Sequence, residues 1–206
     1  SDEVIQPLEK DEAVNLQFPS YFPEMTFDQD ENPITKNGVG LGRKLFYEGK
    51  LSRNNTISCG FCHIQEHAFT HHGHTVSHGI DDQLGIRNAP PIQNMIFLKR
   101  YMWDGVIHNL NQQPIIPITD AKEMDSSMPD VVAKLSKEDF YKKLFKQTYG
   151  DESITGERVL KALSQFMATL ISADSKYDQF KQGNVNLSSQ ESQGRALFQQ
   201  KCASCH

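Results

Sequence analysis

Two copies of one five-residue pattern constrain this chain more than any other feature: "CGFCH" at Cys59–His63 and "CASCH" at Cys202–His206, which together use all four cysteines. Cys-x-x-Cys-His is the attachment signature of c-type haem. On a helix, positions i, i+3 and i+4 share a face, so two thiols and an imidazole can meet one porphyrin. A redox-active Cys-x-x-Cys, half a zinc site or a short disulfide would each leave the following histidine unexplained. A chain built round two haems takes part of its core from porphyrin, and long loops must close over each.

The rest of the composition narrows the partners. A net charge of −5 and a pI near 5.9 provide no basic stripe to neutralise phosphates, which excludes nucleic acid. An acidic surface suits a basic electron donor instead. No apolar stretch is long enough to span a bilayer. Haem is joined to c-type proteins outside the cytoplasm, so we expect a periplasmic protein whose export signal has been removed, with a lipid anchor as an alternative.

The pattern along the chain is mostly α, in the manner of c-type cytochromes. Residues 1–38 carry Pro7, Pro19, Pro23 and Pro33 and are expected to form an extended arm. A first haem domain spans 39–185, and 186–206 begins a second. Helical periodicity starts at Val39, returns in "MPDVVAKLS" and "KEDFYKKLFKQTYG", and is strongest in "ITGERVLKALSQFMATLISADS". Ser188 and Glu191 predict a capping box for a last helix. Residues 64–118 lack periodicity and read as loops over a cofactor. A Gly-Arg-x-Leu-Phe segment precedes each haem motif, as in two related modules.

These stretches, with "HAFT", "SHGI", "RNAPPIQN", "MWDG", "NQQPIIPI" and "KEM" in order between Leu41 and His206, resemble the bacterial di-haem cytochrome c peroxidases. That family includes the di-haem enzymes that mature methylamine dehydrogenase. The resemblance implies that Cys59, Cys62 and His63 hold a first, peroxidatic haem and that Cys202, Cys205 and His206 hold a second, high-potential one. It implies hydrogen peroxide as substrate and a small electron-donor protein, a cytochrome c or a cupredoxin, with a homodimer as in relatives. It also makes the chain the first part of a longer protein. The second iron's distal ligand, usually a methionine, would lie past His206, since Met124, Met128 and Met167 come too early.

The resemblance also assigns side chains. His78 matches a distal histidine that leaves the first iron on activation, and a glycine beside it suits a moving loop. His71, His72 and His74 are expected to be a solvent-exposed polar loop. Glu123, twenty residues after Trp103, is the expected acid–base group, and burial would bring its pKa toward the working range. Gln113 would orient peroxide beside it. Trp103, the only tryptophan, is either an electron relay between haems or a core anchor. Asn88 matches a ligand of an interdomain calcium. Two alternatives remain open: an electron carrier with no catalysis, and a di-haem oxidase of a protein or small organic substrate.

Overall fold

The computed structural model describes residues 11–205. Among these residues there are α-helices and no strands, joined by 3-10 turns and isolated β-bridges. The helices are α1 (Lys36–Phe46), α2 (Cys59–Cys62), α3 (Ile115–Thr119), α4 (Met128–Leu135), α5 (Asp139–Tyr149), α6 (Gly156–Ala168), α7 (Lys176–Lys181) and α8 (Ser189–Lys201). A serine or threonine starts each of them except α3, which starts at Pro114, and α5, which starts at Glu138, as expected where four amide groups need acceptors. The side chains of Thr35, Ser127 and Thr155 accept from the amides of Gly38, Asp130 and Arg158 at 3.1, 3.2 and 3.2 Å.

The core of the larger unit is the crossing of α1 and α6. Leu41, Leu45 and Phe46 of α1 and Val159, Leu163, Phe166 and Met167 of α6 are all buried. The helices touch backbone to backbone at Gly42, where an added Cβ would lie 1.9 Å from the carbonyl oxygen of Ala162. Phe46 and Phe166 meet edge to face with ring centroids 5.1 Å apart. A buried polar cluster ties the arm to this core. Asn32 Nδ2 donates to Asn111 Oδ1 at 2.8 Å, and Gln165 Nε2 donates to Asn32 Oδ1 at 2.9 Å. Residues 11–34 are otherwise extended, as expected, although α1 begins at Lys36 rather than at Val39.

The amphipathic pattern of α6 runs on through Leu170 and Ile171, but the helix stops at Ala168. The Thr169 hydroxyl donates to the Phe166 carbonyl at 2.7 Å, and the Leu170 carbonyl accepts from the Asn94 amide at 2.8 Å. The chain forms two compact units, the first ending at Ile171. In the smaller unit α7 and α8 each open with a capping box, Ser175 with Asp178 and Ser188 with Glu191. Lys176 Nζ bonds Glu191 at 2.6 Å within it. Periodicity does not predict α7, which is too short to show a stripe. No helix among the described residues is long and apolar enough to cross a membrane.

Because Gly42 meets backbone rather than a movable side chain, Gly42→Ala is expected to destabilise the larger unit by about 3 kcal/mol. Denaturant unfolding followed by circular dichroism measures it, with Gly40→Ala, in open space on the same helix, as the control that should stabilise by about 0.5–1 kcal/mol.

Candidate functional site

The first motif forms a single short helical turn, α2, with the His63 amide bonded to the Cys59 carbonyl at 2.9 Å. His63 sits against Phe46 of the core, ring centroids 6.4 Å apart. Its Nδ1 lies 2.8 Å from the carbonyl oxygen of Phe69. That contact makes Nδ1 the protonated nitrogen, so Nε2 carries the lone pair that would reach a metal, the arrangement that orients most ligating histidines; the Pro90 backbone also lies against the ring. Burial lowers the His63 pKa, so the ring is neutral and able to ligate. Phe69 reaches this position with φ at +56, and Ala68 before it has the same value. Left-handed backbone at two consecutive non-glycine residues is strained, and such strain collects at functional sites.

The thiols of Cys59 and Cys62 are unpaired. Burial pushes Cys59 up to about 12 and Cys62 to about 11, with the Glu123 charge adding to both. A redox-active Cys-x-x-Cys needs the opposite shift, toward thiolate. Nor do these cysteines join a metal cluster: among the described residues, only His71, His74 and His78 form a group of three or more candidate ligands. Two protonated thiols and a pre-oriented neutral imidazole on one turn fit a covalently attached haem, for which Cys59, Cys62 and His63 are the holding residues.

Three pinched loops complete the site, each closed at its base by an isolated bridge: Ile64 with Thr70, His78 with Leu84, and Tyr101 with Ile107. The first carries Phe69, the second His78, and the third Trp103. The second loop rests on the turn that holds Glu123. The Ile80 amide donates to the Glu123 carbonyl at 2.7 Å, and a Cβ on Gly79 would lie 2.4 Å from the carbonyl oxygens of both Lys122 and Glu123. Glycine at 79 is therefore required by close approach. The His78 carbonyl also lies 3.7 Å from the Cys62 sulfur. The structure thus brings together the first motif, His78 and Glu123, which are far apart in sequence. The Glu123 pKa is raised, first by burial and then by the Asp120 charge.

Gln113 and Trp103 line an apolar pocket with Pro90, Pro91, Met95 and Met102, and the Pro90 backbone also meets the His63 ring. Gln113 Nε2 donates to the Met102 sulfur at 3.5 Å. Trp103 is 61% exposed, and its Nε1 donates to the Asn88 carbonyl at 2.8 Å. The Asn88 amide in turn donates to the His74 carbonyl at 3.2 Å. The expected exposed loop of His71, His72 and His74 is corrected in part. His72 and His74 are exposed, but His71 is 7% exposed, turned inward between Phe61 and His78. Cys202 and Cys205 are exposed after α8, and His206 lies outside the described residues.

Arg53 was invisible in the sequence, set among polar residues in "LSRNN". It pairs with Asp81 of the His78 loop and, through Nε at 2.7 Å, with Asp125 of the Glu123 turn. Its own amide donates to the Met124 carbonyl at 2.9 Å. One guanidinium therefore fixes two loops that carry site residues.

The residues that match a protein-family model, 36–186, cover this whole arrangement, and the model is that of the di-haem cytochrome c peroxidases. The chain belongs to that family. It is 32% identical over 180 residues to methylamine utilization protein MauG of Methylophilus methylotrophus, an alignment covering 85% of this chain and 53% of that protein. It is 35% identical to the cytochrome c peroxidase Ccp of Escherichia coli, covering 84% of this chain and 38% of that one. With the cytochrome c551 peroxidase of Nitrosomonas europaea the identity is 34%, over 84% and 52%. The chain spans about half the length of most of these relatives. A crystal structure of a MauG-like protein associated with microbial copper homeostasis superposes with a TM-score of 0.83 at 34% identity, covering 90% of this chain and 55% of that one. The diheme peroxidase BthA from Burkholderia thailandensis shares the fold, with a TM-score of 0.72 at 21% identity, over 95% and 56%. Membership implies haem c.

Arg53 and its partners are about half exposed, so Arg53→Met should cost less than about 1 kcal/mol of global stability. Hydrogen exchange of the amides of Ile80 and Gln83 should nevertheless accelerate clearly, because loop fixation and not core packing is lost. Unchanged exchange there would show that the clamp positions nothing.

Proposed function

We propose that this chain is the peroxidatic part of an exported di-haem c-type peroxidase, reducing hydrogen peroxide to water with electrons from a small redox protein such as a cytochrome c or a cupredoxin. The observation that carries this reading is Glu123: a half-buried carboxyl with a raised pKa, packed through its own backbone against His78–Gly79 and close enough to act on both cysteine thiols. A protein that only carries electrons has no use for a buried proton acceptor beside its iron.

Haem, once attached, supplies the iron at which the peroxide O–O bond is reduced by two electrons. The protein's part is to manage protons and access. The Glu123 carboxylate takes the proton from the oxygen nearer the iron and delivers it to the farther one, which leaves as water. Two further protons from solvent, taken up with the two electrons, complete the second water. Gln113 is assigned the orientation of the bound peroxide by hydrogen bonding. His78 would hold the iron at rest and would have to withdraw before peroxide enters. Trp103, exposed and bonded to Asn88, is assigned electron transfer toward the second haem, held by Cys202, Cys205 and His206. Asn88 contributes to the interdomain calcium, and a periplasmic homodimer completes the reading.

A second reading, oxidation of another protein or a small organic substrate, draws on the exposed Trp103 and on the resemblance to MauG and the MauG-like protein. The coordination of the first iron at rest separates the two. A six-coordinate low-spin first haem, with His78 bound, belongs to a peroxidase that needs reductive activation. A five-coordinate high-spin first haem belongs to the oxidising relatives. Electron paramagnetic resonance of the oxidised protein is expected to show the low-spin form, and His78→Ala to convert it to high spin.

Glu123→Gln is expected to slow peroxide consumption by about 10²–10⁴-fold in single turnover. In the parent, the rate should fall in acid through a pKa above the ordinary carboxylate value of about 4.3, and the variant should lose that limb. The sign for stability is opposite. The folded-state pKa is raised, so stability from this group is complete below the unfolded pKa and lost as pH rises through the folded one. Glu123→Gln should thus unfold at a higher temperature than the parent at pH 7, and the difference should vanish in acid. A variant that is both slower and less stable at pH 7 would contradict the role.

A further inference from the structure

His71, His74 and His78 each place a ring nitrogen within 4.8 Å of the other two, on one turn of loop beside the first haem motif. The ring centroids of His71 lie 4.4 Å from those of His74 and 5.1 Å from those of His78, with His74 and His78 at 4.9 Å. Three imidazoles converging so closely present a donor set of the kind that holds one cation.

Two independent observations point to a cation. The first is an orphan: Nδ1 of His71 is buried without a hydrogen-bond partner, although the residue is more than nine-tenths buried. A buried polar atom left unsatisfied costs roughly 1–3 kcal/mol and calls for an explanation, an unobserved ion among them. The second is an outer partner. Nδ1 of His78 lies 2.6 Å from Oδ1 of Asp82, which fixes the tautomer and presents Nε2, as carboxylates behind metal-bound histidines do. The loop is also braced from outside, since the His74 carbonyl is bonded to the Asn88 side chain.

We propose that His71, His74 and His78 form a binding site for one divalent transition-metal ion of borderline softness, of the Zn²⁺ or Cu²⁺ class, with Asp82 as its outer partner. Imidazole donors select such ions over Ca²⁺ and Mg²⁺, which prefer oxygen. Three protein nitrogens leave a fourth position open to water or an added ligand. Metal–nitrogen bonds of about 2.0–2.1 Å require the nitrogens to draw in by an ångström or so, which the exposed His74 ring allows. A consequence rests on the reading of His78 as distal ligand of the first iron: the ion and the iron compete for one imidazole. Metal bound at the three histidines withholds His78 and leaves the first iron open without reduction of the second.

The test is zinc titration of the haem-loaded protein, stripped of free metal, by calorimetry and by metal analysis after dialysis. One tightly held Zn²⁺ per chain is expected, separate from haem iron. His74→Ala should weaken it by at least about 100-fold, and Asp82→Asn by roughly 10–100-fold. His74 is exposed, so its removal leaves folding intact, and His72→Ala, whose ring stacks on His67 at 3.9 Å instead, is the control that should bind as the parent does. Absence of a stoichiometric site, or equal affinity in His74→Ala and the parent, overturns the proposal. The haem spectrum recorded in the same titration addresses the other reading. Conversion of the first haem from low to high spin on zinc binding supports the competition, whereas zinc bound with no spectral change keeps the metal site and removes His78 from the iron.

Discussion

The hydrogen bond between the His63 imidazole and the Phe69 carbonyl is the contact on which the site depends, because it turns a residue in a motif into a ligand with one free nitrogen aimed in a fixed direction. The bond has requirements on both sides. On one, His63 must sit at the end of α2 against Phe46, which the α1–α6 crossing at Gly42 holds in place. On the other, the loop from Ile64 to Thr70 must bend through two left-handed residues to present the carbonyl. Core packing and loop strain thus meet at one imidazole.

The opposite wall is built differently. Glu123 belongs to a turn after α3 anchored to the core by its neighbour Met124, which is buried. The loop that carries His78 is held to this turn by the close approach of Gly79, the Ile80 amide and the Arg53 clamp on Asp81 and Asp125. Exposed ion pairs hold a loop weakly, which suits a site where a ligand must leave before a small substrate enters. The rigid side carries the iron ligand, and the compliant loop carries the group that withdraws.

Much of this was legible in the sequence. Cys-x-x-Cys-His has a spacing that only a few chemistries use, and the stripe Val159, Leu163, Phe166 marks α6 because a helix with one buried face leaves a period. Ser188 and Glu191 announced a helix start by side-chain chemistry alone. What escaped detection has no local code. Arg53 looks like any surface arginine until the chain folds Asp81 and Asp125 beside it. Phe69 contributes a carbonyl, which every residue has, in a conformation that its side chain does not favour. His71 seemed one more polar residue in a histidine-rich loop, and only folding against Phe61 buries it. The end of α6 was misjudged because the Asn94 amide, seventy-odd residues earlier, captures the Leu170 carbonyl that the helix would have shielded.

The central claim is that the first motif, on its own turn and with its own pre-oriented histidine, carries covalent haem. A pyridine haemochrome assay on protein matured in a c-type-competent host tests it most directly, with the parent compared to the double variant Cys59→Ser, Cys62→Ser. The account predicts that the double variant loses one covalent haem per chain relative to the parent. Equal haem content in the two proteins, or none in the parent, would contradict it.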